Sequence, residues 1–552
     1  MEKNYVIGVD FGTLSARAVL ADAADGRIAA QADFSYAHGV LTQALPDGTA
    51  LPADGWALQV PADYREALIG SVRGVSSAVP MGAIRAIALD FTSSTVLPVL
   101  ADGTPLCELE ENRSRALAYA MLWKHHAAQP QARELEAYLK KYAPQTLAQT
   151  GGRLSSEEYL PKSLQFFRQA PDLAEKTAYF MEAADWIPFL LTGIPARSAC
   201  CAGFKRYWTP ENGDLPHSLL QGFDPDYALW YQRVLRGPVL PIWQPAGSLL
   251  PEWAAQLGLP SGIPVGISTI DAHAALLGCG ITQERQAMMI LGTSGCHILL
   301  DRTARSVPGT GGYAEDALLP GYYAYEAGQS CVGDALAWFT EHCVPAAYEA
   351  KAREEGLSIH QYLTKLASAL RVGQTGLLAL DWWNGQRTPF VNDDLRGLML
   401  GMSLQTRPED QYRALLESLA FGTRLVFDTF AENGVEVDEI RACGGIAHKN
   451  ALMVQIYADV LNRPIRIVES AQASALGAAI HAAAAAGLHP DMAAAVKAMG
   501  SACTKVFLPD AANAAAYEKF YALYREMAVF FAEKTDFQER LRAIRAEAEA
   551  SL

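Results

Sequence analysis

The chain opens on an apolar run, Tyr5-Val6-Ile7-Gly8-Val9-Asp10, which breaks at Phe11-Gly12-Thr13 and resumes as a second apolar run over 16–21. Midway along, the pattern returns as Met288-Met289-Ile290-Leu291, a break at Gly292-Thr293-Ser294-Gly295, and a further apolar run over 296–300. Short apolar runs bounded by turn residues predict strands, so each copy reads as a β-hairpin with glycines and hydroxyls at its tip. Two such hairpins about half a chain apart predict a duplicated domain. A strand over 27–34 follows the turn at Asp25-Gly26, then a helix over 62–77 and an apolar strand over 84–91. Beyond Asn112 the spacing predicts helices over 113–128, 131–142, 161–169 and 183–191. Residues 199–251 are rich in Gly, Pro and Trp with weak periodicity, which predicts long loops and short strands. The strand pattern restarts near Ala287, which places the change of domain at 278–286. In the second half Ile440-Arg441-Ala442-Cys443 runs into Gly444-Gly445 and then into a helix over 451–461. Ser474-Ala475-Leu476-Gly477-Ala478-Ala479-Ile480 reads as a helix of small residues, suited to close packing at a hinge. The last stretch, 511–552, alternates Glu and Arg and is expected to be helical, exposed and outside the catalytic fold.

Length and charge narrow this picture. At 552 residues the chain is too long for one core and calls for two large domains with insertions. A formal charge of -15 argues against a nucleic-acid partner, which asks for a basic face. Any polyanionic ligand must then be gripped by local donors and metal. The nine cysteines form no C-x-x-C pair and read as reduced thiols of a cytoplasmic protein. No signal-peptide pattern stands at the N-terminus, and no apolar run approaches the ~20 residues of a membrane span, so no membrane association is expected.

The hairpin tips suggest phosphate. Glycine lets backbone approach a phosphate closely, and successive amides with Thr or Ser hydroxyls supply donors. Asp10 repels phosphate and would act through Mg²⁺, which needs only one or two protein oxygens. Ordinary turn chemistry is the alternative for either tip alone. The diglycine at Gly444-Gly445, at a strand-to-helix junction, offers bare backbone to a nucleotide.

Together these segments resemble the FGGY family of carbohydrate kinases, within the actin-like ATPase superfamily, from Tyr5 to about Leu488. Six further segments resemble its L-ribulose-phosphorylating branch: Leu122-Trp123-Lys124-His125-His126, Gly151-Gly152-Arg153-Leu154-Ser155-Ser156-Glu157, Ala202-Gly203-Phe204-Lys205, Asp271-Ala272-His273, Glu326-Ala327-Gly328-Gln329-Ser330, and the run from Asp381 to Pro389 containing Trp382-Trp383 and Arg387. The resemblance implies an α/β fold of two actin-like (ribonuclease H-like) ATPase domains with a nucleotide and sugar cleft between them. Residues 1–278 would bind sugar and carry the first tip, 279–500 the second tip and the adenosine pocket, and 501–552 would form a helical tail.

The implied activity is ATP-dependent phosphorylation of the terminal hydroxyl of a ketopentose, L-ribulose first. Xylulose, D-ribulose or rhamnulose is the nearest alternative substrate, and an actin-like nucleotide switch is the alternative of a different class. Implied partners are the sugar and ATP with Mg²⁺, and a homodimer is the general expectation for a soluble enzyme. By the same resemblance Asp271 is the general base and a sugar contact, and Ser93, Lys205 and Glu326 contact sugar. Gly12, Thr13, Arg17, Gly292 and Thr293 would hold phosphates, Gly444, Gly445 and Asn450 would line the adenosine pocket, and Asp10 would serve the metal. Taken by residue type alone, Asp271 reads as a helix cap and Lys205 as a surface lysine. Leu14 leaves one donor fewer at the first tip, Trp382 and Trp383 read as core, and His273, beside a helix start, reads as structural.

Overall fold

The computed structural model describes residues 3–52 and 55–550. Two mixed sheets of seven strands organise it. The first contains β1 (Tyr5–Phe11), β2 (Ser15–Asp22), β3 (Ile28–Ser35), β4 (Ile84–Phe91), β5 (Pro245–Ser248), β6 (Pro264–Gly266) and β7 (Thr269–Ile270). The second contains β8 (Gln286–Leu291), β9 (Gly295–Asp301), β10 (Tyr313–Glu315), β11 (Tyr323–Gln329), β12 (Glu439–Cys443), β13 (Ile465–Val468) and β14 (Cys503–Phe507).

Pairing makes the duplication concrete. In the first sheet β3-β2-β1 is an antiparallel meander, β4 joins β1 in parallel, and β6 joins β4 in parallel with β5 antiparallel at the edge. In the second, β11-β9-β8 is the antiparallel meander, β12 joins β8 in parallel, and β13 joins β12 in parallel with β14 antiparallel at the edge. In each half the central hairpin is buried nearly throughout, so its apolar runs need no alternation. Each sheet has its own core, and a third, helix-rich core between Leu45 and Val234 belongs to the insertion in the first half.

The helices that position the site are α1 (Pro61–Ser76), α2 (Tyr159–Gln169), α3 (Ala199–Arg206), α4 (Asp271–Gly278), α5 (Pro408–Glu432), α6 (Ala451–Leu461), α7 (Ala473–Ala485) and α8 (Ala511–Val529). α4 and α7 pack on one another along their length. α7 lies on β1 and β4 of the first sheet, while α4, which ends the first half, touches β8 and β9 of the second. Glycines allow the approach: a Cβ on Gly477 would fall 1.9 Å from the Ala274 carbonyl oxygen, one on Gly278 1.9 Å from that of Ala473, and one on Gly8 2.0 Å from that of Ala475. The small residues of α7 thus seat it against a strand and a helix at backbone distance.

Three local expectations are corrected. Residues 113–128 are not a helix but turns, a short 3₁₀ segment Ala116–Ala118 and the strand Ala120–Met121. Leu117, Ala118 and Met121 are buried in the third core, so the apolar spacing there serves irregular backbone. Residues 199–251 are not mainly loop, because α3, His217–Phe223 and Pro225–Val234 are helices. Ser198 starts α3 by accepting from the Cys201 amide at 3.3 Å, and Asp224 starts Pro225–Val234 by accepting from Tyr227 at 3.0 Å. The tail does not lie outside the fold: Tyr517, Tyr521 and Tyr524 of α8 enter the second core, and Tyr524 donates to Asp381 at 2.6 Å. Their spacing of four and three puts all three rings on one helix face. Beyond α8 the charged helix is largely exposed over 537–549.

Candidate active site

The C-terminal ends of β1 and β8 deliver the two tips to one cleft. Thr13 and Leu14 from the first tip and Thr293 and Ser294 from the second line a cavity of about 1380 Å³. The Thr13 hydroxyl accepts from the Trp123 indole at 3.1 Å, and its carbonyl from Gln59 at 2.7 Å. Both bonds hold the tip still from the insertion side. At the second tip the Val332 amide donates to the Thr293 carbonyl at 2.9 Å, and the Gly333 amide to that of Gly292 at 2.9 Å. The backbone of both tips is thus anchored through its carbonyls, which is the preorganisation an anion cradle requires.

Three carboxylates stand at neighbouring strand ends of the first sheet. Parallel pairing sets Asp10 opposite Asp90 and Asp90 opposite Thr269, two residues before Asp271. Arg17, across the hairpin from Asp10, reaches it at 3.2 Å and Asp33 at 3.4 Å. Asp90 is fully buried, and neither oxygen has a hydrogen-bond partner. Burial, and then the charge of Asp10, push its carboxyl well above the usual range. Asp271 opens α4, and its Oδ1 accepts from the Ala272 amide at 2.7 Å. Burial first, and Asp10 second, push Asp271 up to about 7. It is therefore a helix-start carboxylate held near neutrality, where taking up a proton costs little. No group of three or more His, Cys, Asp or Glu among the described residues converges as a metal cage. The orphaned oxygens of Asp90 beside Asp10 do suit a cation that is held mainly by substrate phosphates and water and needs one or two carboxylates from protein.

A second constellation lies at the junction of α3, α4 and β11. Lys205 Nζ is 3.1 Å from Glu326 Oε2, and His273 Nε2 is 3.5 Å from the same oxygen. Burial works against a charged Glu326, but Lys205 and His273 outweigh it and hold the carboxyl well below the usual range. Lys205 is buried and not a surface lysine. Burial first, and then the charge of Glu326, push the Cys296 thiol, just past the second tip, well above the usual range. Ser93 precedes Ser94, whose amide donates to Glu182 at 3.2 Å and whose carbonyl accepts from Lys162 at 2.8 Å. With that backbone pinned, the Ser93 hydroxyl is enclosed and unpartnered.

The diglycine lies at the end of β12, beside β8. Gly444 has φ +93°, and a Cβ there would sit 2.6 Å from the Leu291 carbonyl oxygen, so only glycine fits. Gly445 faces open space and begins the short helix Gly445–Lys449. Asn450 spends its side-chain acceptor on the Met453 amide, at 3.0 Å, as the cap of α6. Gly444, Gly445 and Asn450 are not among the residues lining the 1380 Å³ cleft, and neither are Asp10, Gly12, Arg17, Gly292, Ser93, Lys205, Asp271 or Glu326. The structure thus gathers Thr13 and Thr293 in the cleft, Asp10, Arg17 and Asp271 at the strand ends, and Lys205 with Glu326 where α3 meets β11.

Sequence reasoning gave no role to several residues found here. Arg387 and Glu157 face each other across the cleft at 4.0 Å, and Glu157 is 3.6 Å from His126. Their motifs were visible without saying that they meet. Asp90 had a signal, since Asp90-Phe91-Thr92 echoes Asp10-Phe11-Gly12-Thr13 on the neighbouring strand.

A duplicated sheet topology with two donor-rich tips, a carboxylate near neutrality and a buried polar pair is the apparatus of an ATP-using phosphotransferase acting on a polyol. Residues 5–278 match the N-terminal domain and residues 287–486 the C-terminal domain of the FGGY family of carbohydrate kinases, and the chain belongs to that family. Among curated relatives, a ribulokinase from Geobacillus thermodenitrificans is 43% identical, covering 100% of this chain and 99% of its own. Among solved structures, xylulose kinase from Rhodospirillum rubrum superposes with TM-score 0.76 at 25% identity, covering 96% of this chain and 99% of that one. Gluconate kinase from Lactobacillus acidophilus gives TM-score 0.80 at 18% identity over 96% and 99%, a likeness of fold.

Proposed function

We propose that the protein is a ribulokinase, transferring the γ-phosphoryl group of ATP to the terminal hydroxyl of L-ribulose. The full-length similarity to ribulokinases carries the substrate, and the Asp271, Lys205 and Glu326 arrangement supports a small polyhydroxylated acceptor. Lys205 donates to a carbonyl or hydroxyl of the open-chain ketose, Glu326 accepts from hydroxyls, and the unpartnered Ser93 hydroxyl completes the pocket. These contacts leave the terminal hydroxyl facing Asp271.

Asp271 accepts the proton of that hydroxyl as the oxygen bonds to the γ-phosphorus. The bond from that phosphorus to the β–γ bridging oxygen breaks, and its electron pair leaves with ADP. Thr293 and the amides of the second tip hold the moving phosphoryl oxygens, Thr13 and Arg17 assist from the first tip, and Gly444 and Gly445 give the adenosine bare backbone. Asp10 is the protein group that would hold Mg²⁺, which neutralises phosphate charge when bound. Closure of the halves about α4 and α7 excludes water from the transfer. The nine cysteines are free, in keeping with action in a reducing cytoplasm. No helix among the described residues is long and apolar enough to cross a membrane.

The test is sugar-dependent ADP release with Mg·ATP across L-ribulose, D-ribulose, D-xylulose, L-rhamnulose and glycerol. The highest kcat/KM falls on L-ribulose. A best substrate elsewhere in the panel would overturn the ribulokinase assignment.

A further inference from the structure

Glu326 meets two cations on one oxygen. Lys205 and His273 both approach Oε2, and among the described residues no hydrogen bond or ion pair reaches Oε1. The free oxygen is the one able to accept from a ligand.

His273 is built to hold this arrangement. It is wholly buried, its Nδ1 is 3.2 Å from the Cys200 thiol, and its ring packs 4.3 Å from that of Phe204. Its Nε2 is enclosed, has no hydrogen bond at ordinary geometry, and has Glu326 as its ion-pair partner. Burial disfavours a charged imidazole here, yet Cys200 and Glu326 outweigh it and raise His273 to about 9. The contacts come from three elements: Cys200 and Phe204 from α3, His273 from α4 and Glu326 from β11. α3 also carries Lys205, so one helix braces the imidazole and supplies the other cation.

We infer that His273 is a positioning residue for sugar recognition: braced by Cys200 and Phe204, it pins Glu326 Oε2 jointly with Lys205, so that Oε1 is presented to the hydroxyls of the ketose. Without His273, Glu326 is free to turn both oxygens toward Lys205, and the two groups that read the sugar would satisfy each other instead. Discrimination among ketopentose epimers depends on leaving a buried polar group unpaired for the wrong sugar, so it weakens with them. This inference rests on the ketose-kinase reading above.

The experiment is a double-substitution cycle in the full-length enzyme, with KM and kcat measured for L-ribulose, D-ribulose and D-xylulose and KM for ATP as internal control. His273→Phe fills the space without a donor, and His273→Gln keeps one. The expected result is that His273→Phe raises the L-ribulose KM roughly tenfold, within the range of coupling between side chains in direct contact, with kcat and the ATP KM within about threefold. His273→Gln recovers most of the loss, and the epimer preference narrows in His273→Phe. In a Glu326→Gln background the same substitution costs less than about twofold, because His273 acts through that carboxylate. Equal costs in both backgrounds, or an unchanged sugar KM in His273→Phe, would overturn the inference. Should His273→Phe fail to fold, His273→Asn carries the same comparison. An inactive wild type on every ketopentose would instead sink the kinase reading, so the two failures are distinct.

Discussion

Asp271 shows at a single residue how function and stability oppose each other. Its carboxyl is raised to about 7 by burial and then by Asp10, so folding favours the protonated form while the proposed role as base needs the ionised one. Below about pH 7 the ionised fraction falls, and kcat/KM for the sugar is expected to fall with it, reaching a plateau on the alkaline side. Asp271→Asn is expected to cost about 10²–10⁴-fold in kcat, the usual contribution of a general base, with sugar KM changed only a few-fold. Retention of more than a tenth of wild-type kcat would remove Asp271 from that role. For stability the sign is reversed. An acid whose folded pKa is raised stabilises the fold below its unfolded value near 4, and loses that contribution as pH rises through 7. Asp271→Asn should therefore raise the unfolding midpoint at pH 8, and the gain should shrink toward pH 4. A midpoint that drops at pH 8 would contradict the burial argument.

At the scale of elements, the contact of α4, α7 and β1 joins the two halves to the chemistry, because the helix that begins with Asp271 is seated by glycines. Gly477→Val places a side chain where the Ala274 carbonyl oxygen already lies. Overpacking of this kind costs about 1–3 kcal/mol or more. The expectation is a lowered thermal midpoint together with a lowered kcat, since α4 cannot yield without moving Asp271. A variant with wild-type kcat and midpoint would show that the helices have slack.

Legibility followed the same elements. The hairpins of both sheets, α1, α4, α6 and α7 could be read because strand and helix periods and glycine breaks are local signals. Residues 113–128 misled because Leu117, Ala118 and Met121 bury themselves from turns, where apolar spacing reports a core without a helix. α3 was hidden behind Gly203 and the Cys200-Cys201 pair, although its cap, Ser198, stood in plain sight. In α8 the Glu and Arg pattern of the tail masks the Tyr517, Tyr521 and Tyr524 stripe. In the site, the tips were legible as motifs, and Lys205 with Glu326 by resemblance. His273 was not, because its partners Cys200 and Glu326 lie 73 positions before it and 53 after, a proximity only the fold creates.

Among the described residues three buried histidines are held neutral by desolvation. Burial lowers His125 to about 3, His297 to about 4 and His481 to about 3. Each binds a proton more readily in the unfolded chain, whose value is near 6.5, so stability is complete above that pH and drains as pH falls toward 3–4. Each site steepens the loss by up to about 1.4 kcal/mol per pH unit within that window. Urea midpoints measured from pH 8 to pH 5 should fall on the acid side of 6.5, and His481→Leu should flatten the slope. An unaltered slope would mean that His481 is solvated in solution.

The central claim joins both halves in one reaction: the tips hold ATP, and Asp271 activates a ketopentose hydroxyl between them. The most direct measurement is ADP release with Mg·ATP and L-ribulose by the wild type and by Asp271→Asn. The account predicts strong sugar-dependent release by the wild type and its collapse in the variant while L-ribulose still binds. Well-folded wild-type protein that releases no ADP in response to any ketopentose would contradict it.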